Sequence, residues 1–135
     1  MLHEELTREI ISAFYEVYNT LGYGFLEQVY QNSLYKELKR LGFKCEPQKQ
    51  IKVYYKDELV GNYVADMIVQ DLIILELKAV KQLLVEHECQ LVNYLKATNL
   101  EVGLLFNFGP VPQVKRRIFT KDYFIDDSED INPCF

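Results

Sequence analysis

The segment Leu72-Ile-Ile-Leu-Glu-Leu-Lys-Ala-Val80 constrains the fold of this chain more than any other. A short run this apolar, with β-branched residues, predicts a buried strand, and side chains along a strand alternate between its two faces. Glu76 and Lys78 therefore share one face, while Leu75 and Leu77 take the other. Burying an unpaired charge costs several kcal/mol or forces its pKa to move. The face that carries Glu76 thus needs a polar counterpart from elsewhere in the chain.

The preceding segment supplies one. Tyr63–Val69 is another run of large and β-branched residues, separated from the first only by Gln70-Asp71, which predicts a tight hairpin. A hairpin turning about Asp71 sets Asp66 opposite Glu76. Upstream, Ile51, Val53 and Tyr55 alternate with Lys52, Tyr54 and Lys56, a strand with one wet face, and Lys56-Asp57-Glu58 reads as a turn. Ile10, Ile11, Phe14, Val17, Tyr18 and Leu21 recur at helical spacing before Gly22 and Gly24. Leu26, Val29, Tyr30, Leu34, Leu38 and Leu41 form a second helical stripe that ends at Gly42. Beyond the hairpin, Leu84, His87, Leu91, Tyr94, Leu95 and Thr98 share a helical face. Val102–Phe108 then reads as a buried strand closed by Gly109-Pro110, and Val114–Phe119 as a last strand. This order predicts an α/β fold, a mixed sheet flanked by helices, in which the third helix crosses over to make a parallel strand pairing.

A chain of 135 residues, 49% hydrophobic, suits one domain, expected over residues 1–121, with an acidic tail over 122–135. The longest apolar run, Leu72–Leu75, is far below the roughly 18–20 residues that span a bilayer, so no membrane partner is expected. The opening Met-Leu-His-Glu-Glu lacks a basic start followed by an apolar stretch, which makes the cytoplasm the expected location. Cys45, Cys89 and Cys134 are odd in number and widely spaced, and are expected as free thiols. A net charge of −5 excludes a protein that coats nucleic acid by bulk electrostatics, but the charge is uneven. Between Lys36 and Lys56 lie Lys36, Lys39, Arg40, Lys44, Lys49, Lys52 and Lys56 against only Glu37 and Glu46, and Lys115, Arg116, Arg117 and Lys121 form a second basic cluster. Lys49, Lys52 and Lys56 are the candidate phosphate contacts.

Two facing carboxylates repel one another, and a divalent cation relieves the repulsion; oxygen ligands suit Mg²⁺ (or Mn²⁺). With Lys78 alongside to orient or help deprotonate a water, Asp66 and Glu76 have the makings of a phosphodiester-hydrolysing centre. The plain alternative is a surface ion pair of Glu76 with Lys78 on a half-exposed strand, and Asp66 as an acid facing a turn.

Asp66 together with Glu76-Leu77-Lys78 resembles the signature of the PD-(D/E)XK nuclease superfamily, with Ala65 standing where that signature often has proline. Gly24-Phe-Leu-Glu27-Gln-Val-Tyr30 matches the pattern that names the GxxExxY protein family, a group of small proteins in that superfamily. The likeness extends through Gln90-Leu-Val-Asn-Tyr94, which resembles the Q-x-x-x-Y element of exonuclease-like branches, and so spans roughly residues 5 to 110. It implies a restriction-endonuclease-like mixed sheet flanked by helices. It also implies a Mg²⁺-dependent nuclease acting on DNA, or on RNA, in which Asp66, Glu76, Glu27 and the Leu77 carbonyl are metal ligands. Lys78 would activate water, and Glu27 and Gln90 would assist. Tyr94 would contact substrate. Taken without the resemblance, Glu27 is an acid favoured at a helix N-terminus, and Tyr94 a core residue with Gln90 beside it. His87 reads as a satisfied polar residue outside the catalytic set. The acidic charge and small size leave a second reading, a nuclease-fold module that binds or regulates without cutting and works in an oligomer or with a larger partner.

Overall fold

The computed structural model describes residues 2–120 and Cys134. Helices α1 (Glu4–Leu21) and α2 (Glu27–Arg40) come first, followed by strands β1 (Cys45–Tyr55), β2 (Glu58–Val69) and β3 (Ile73–Lys78). Helix α3 (Val85–Ala97) then leads to β4 (Val102–Phe108) and β5 (Pro112–Ile118). The five strands form one sheet in the order β1-β2-β3-β4-β5. Every pairing is antiparallel except β3 with β4, which is parallel because α3 carries the chain back across the sheet. This is the mixed, helix-flanked sheet that the sequence implies. The acidic stretch expected over 122–135 lies outside the described residues apart from Cys134. No helix among the described residues is long and apolar enough to cross a membrane.

Strand parity divides the core in two. Odd positions of β3, Ile73, Leu75 and Leu77, join Leu104, Phe106 and Phe108 of β4 beneath α1 and α2. There Phe14 stacks on Phe106 at 4.6 Å and Tyr30 on Phe108 at 4.4 Å, geometries that add to the burial of the rings. The opposite face packs Ile68, Ile74 and Leu105 under Leu91, Tyr94 and Leu95 of α3. Close approach of α3 depends on Gly103, where a Cβ would lie 2.6 Å from Leu91 Cδ1.

Both hairpin turns place two consecutive residues at positive φ, Lys56-Asp57 at 50° and 66° and Gln70-Asp71 at 57° and 55°. Such turns match the right-handed twist of paired strands. The second fixes the register Val69↔Ile73, Ile68↔Ile74 and Met67↔Leu75, so the next opposed positions are Asp66 and Glu76, as the hairpin spacing predicts. β1 begins at Cys45, earlier than its clean alternation from Ile51, because Gln48 sits at φ 53° and breaks the period. Cys89 and Cys134 form a disulfide, correcting the expectation of free thiols for these two; Cys45 is free and buried. A sequence separation of 45 residues had hidden that pairing, since α3 has to deliver Cys89 to the site where it meets Cys134.

Candidate metal and catalytic centre

β2 and β3 stop pairing main chain to main chain just beyond Met67↔Leu75, and side chains take over. Asp66 Oδ2 accepts the Leu77 N–H at 2.7 Å, and the Asp66 N–H donates to Glu76 Oε1 at 3.3 Å. The two carboxyl groups are thereby held together at the fork between the strands. Leu77 directs its carbonyl to the same strand edge as its N–H, as an extended residue does, so that oxygen also faces the fork. Glu76 is only 5% exposed, which removes the alternative of a surface ion pair. Burial, and then the charge of Asp66, push the Glu76 carboxyl up to about 9, against a weaker opposing pull from Lys78. A carboxyl shifted that far holds its proton at neutral pH.

Glu27 stands in the first turn of α2, within electrostatic range of Lys78 and Asp66, and its position there is built by the chain around it. Gly24, at φ 113°, makes a turn that L side chains rarely adopt. The Tyr30 hydroxyl donates to the Gly22 carbonyl at 2.6 Å and accepts the Phe25 N–H at 3.2 Å, which clamps that turn to the helix. The three positions of the Gly24-x-x-Glu27-x-x-Tyr30 pattern thus serve one purpose, a fixed helix start that presents Glu27. Burial raises the Glu27 pKa, the Lys78 charge lowers it, and the Asp66 charge raises it, so Glu27 lies within the electrostatic reach of both.

α3 closes the other side. Tyr94 is buried, and its hydroxyl accepts a hydrogen bond from Gln90 Nε2 at 2.8 Å. Burial raises the Tyr94 pKa, with the Glu76 charge the next cause, which places the phenol in the field of the carboxylate pair. His87 accepts the Leu84 N–H at its Nδ1, 3.0 Å away, and so caps α3, the satisfied role expected of it. Its pKa is lowered by burial and by Lys78.

Two residues at this centre have no place in the sequence reading. Gln31, 5% exposed, donates from Nε2 to the Asp66 carbonyl at 3.2 Å and ties α2 to β2 at the site. Its signal was a position four after Glu27, on the same helical face. Asn107 is fully buried; its Oδ1 accepts the Val80 N–H at 3.0 Å and its Nδ2 donates to the Val80 carbonyl at 2.9 Å, fixing the chain as it leaves Lys78. It is the polar residue inside the apolar run Val102–Phe108. The predicted phosphate contacts are dispersed. Lys49 is 2.8 Å from Glu46, Lys56 lies over the Tyr55 ring in the β1–β2 turn, and Lys52 lines a groove beside α3.

The sequence matches the PD-(D/E)XK nuclease superfamily over residues 4–118. The chain belongs to that superfamily. No curated protein matches it. Among solved structures, the crystal structure of SSO0001 superposes with a TM-score of 0.54 at 20% identity, covering 67% of this chain and 48% of that one. The chain thus spans about half the length of that protein, and the likeness is one of fold. Nucleases of the PD-(D/E)XK superfamily generally use divalent metals. Among the described residues no three His, Cys, Asp or Glu side chains form a ready-made metal cluster. The donor set nevertheless suits a hard cation that keeps several waters and takes one or two carboxylates: the Asp66 and Glu76 carboxyls, with the Leu77 carbonyl on the same edge.

Proposed function

We propose that this chain is a metal-dependent nuclease that hydrolyses phosphodiester bonds of DNA or RNA, with Asp66, Glu76 and the Leu77 carbonyl holding Mg²⁺ or Mn²⁺. The observation that carries this reading is the buried Asp66–Glu76 pair at the β2–β3 fork, where burial and mutual repulsion favour a proton or a cation over two bare charges. Bound there, a divalent cation supplies Lewis-acid polarisation of the phosphate and neutralises developing charge. Lys78, on the Glu76 face of β3, holds and activates the attacking water. Glu27 positions that water from α2, or adds a carboxylate to the metal. Gln90 fixes the Tyr94 hydroxyl, and Tyr94 contacts the substrate strand. The clamp around Gly24, Glu27 and Tyr30 supports the finer assignment to the GxxExxY family.

The test is cleavage of end-labelled single- and double-stranded DNA and RNA by the wild type in Mg²⁺ and Mn²⁺, with titration calorimetry of each ion. Cleavage that requires metal and disappears in Glu76→Gln is the expected result. No cleavage of any substrate and no heat of metal binding would sink the nuclease reading in favour of a module that binds or regulates without cutting.

A further inference from the structure

A groove of about 970 Å³ runs along α3, walled on one side by the outer part of the β1–β2 hairpin and on the other by His87, Gln90 and Tyr94. Its nearest approach to the carboxylate pair is through Gln90 and Tyr94, which line it and are hydrogen-bonded to each other at 2.8 Å, and the charges of Glu76 and Asp66 act on the Tyr94 phenol. The hairpin wall presents aromatic surface to solvent: Tyr63 is 49% exposed and Tyr54 59%. Tyr63 packs against Tyr94 with ring centroids 5.8 Å apart and an interplanar angle of 45°, so the two rings form a stepped platform leading toward the site. Gly61 makes room for this arrangement. A Cβ there would lie 3.1 Å from the Tyr63 ring and 3.4 Å from Val53 Cβ. Lys52 adds a cation to the same wall.

We propose that this groove is a subsite for an unpaired nucleic-acid strand, taking one or two unstacked nucleotides beside the scissile phosphate. The inference rests on the nuclease reading and deepens it. Its volume lies at the top of the roughly 300–1,000 Å³ range of pockets that enclose drug-sized molecules, a scale that suits one or two nucleotides seated in the recess. Aromatic faces beside a cationic side chain are how proteins hold single strands, since every base has a π-face and every nucleotide a phosphate. A groove for a small apolar ligand would have no need of Lys52, Gln90 and Asn93 on its walls. The preferred substrate therefore has a single-stranded segment at the cleavage position.

The test uses the full chain carrying Glu76→Gln, so that the probe survives, and measures binding of a fluorescent 12-nucleotide oligodeoxythymidine strand and of its duplex with the complementary strand. Single strand should bind at least tenfold tighter than duplex. Adding Tyr63→Ala should weaken the single strand about tenfold, the scale of one lost base–aromatic stack, while Tyr63→Phe, which keeps the ring, should not. If circular dichroism shows that Tyr63→Ala does not fold, Tyr54→Ala takes its place with the same expectation. Equal binding of duplex and single strand, unmoved by loss of either ring, overturns the subsite and leaves the nuclease reading standing. Absence of binding to either probe, together with a wild type that cuts neither, overturns both.

Discussion

Asp66 and Glu76 meet through a main-chain donor: the Asp66 N–H donates to Glu76 Oε1 at 3.3 Å, while the Asp66 carboxylate is occupied by the Leu77 N–H at 2.7 Å. Backbone groups hold the two carboxyls together, so the cost of ionising both is built into the fold. In the folded protein the Glu76 pKa stands near 9 against an ordinary 4.5.

A stability profile follows from that shift. Because the folded pKa is raised, folded Glu76 keeps a proton that the unfolded chain releases between pH 4.5 and about 9. Its contribution is fully present below pH 4.5 and is lost as pH rises toward 9. Glu76→Gln keeps the acceptor for Asp66 and removes this loss, so at pH 7 the metal-free variant should be more stable than wild type by on the order of 2–3 kcal/mol. Urea melts of both proteins at pH 5, 7 and 9 in chelator check this; the gap between them should widen with pH. Parallel curves across that range contradict the assigned shift.

Metal binding and cleavage should separate at Lys78. Glu76→Gln removes a ligand charge and should abolish Mn²⁺ binding and cleavage together. Lys78→Ala leaves both carboxylates in place and should still bind Mn²⁺ in calorimetry while losing about 100-fold or more in cleavage rate, the range typical of a lost group that moves or orients protons. A Lys78→Ala protein that cuts normally removes this side chain from the mechanism.

Gln31 offers a test of positioning. Gln31→Ala leaves the part-buried Asp66 carbonyl without its side-chain donor, and should lower stability by about 1–2 kcal/mol. Cleavage should drop through kcat, with KM little changed, since Gln31 acts on Asp66 and lies on the α2 side of the sheet, away from the groove. Wild-type kcat in this variant means the carboxylate is held well enough by Leu77 alone.

The cations are not equivalent. Lys44 and Lys49 already pair with Asp71 and Glu46, each at 2.8 Å, whereas Lys52 lines the groove. Charge reversal at Lys52 should weaken oligonucleotide binding and flatten its salt dependence by about one phosphate contact, with Lys49→Glu producing the smaller effect. The reverse ranking moves the substrate track to the outer face of β1.

Thiol chemistry reads out the disulfide. Burial holds the Cys45 thiol at about 11 and 7% exposed, so native protein should resist alkylation. After reduction, Cys89 and Cys134 should label in the folded state while Cys45 waits for denaturant. Mass spectrometry of the non-reduced digest should recover a Cys89–Cys134 linked peptide.

What the sequence determined by itself was whatever depends on near neighbours. Helical and strand periods marked every element, the Gln70-Asp71 turn set the register that opposes Asp66 to Glu76, and strand parity put Lys78 on the Glu76 face. These are consequences of backbone geometry over a few residues, and so they are legible in order along the chain. Tertiary structure decided the rest. Whether Glu76 carries a proton depends on how much of the sheet and α3 buries it. Whether Lys49 is free for phosphate depends on Glu46 across a break in β1, and the roles of Gln31, Tyr30 and Asn107 depend on partners that lie on other turns, strands or helices. The Cys89–Cys134 bond joins residues 45 apart. Desolvation, charge pairing and long-range hydrogen bonds are set by packing between distant segments, and no local period encodes them.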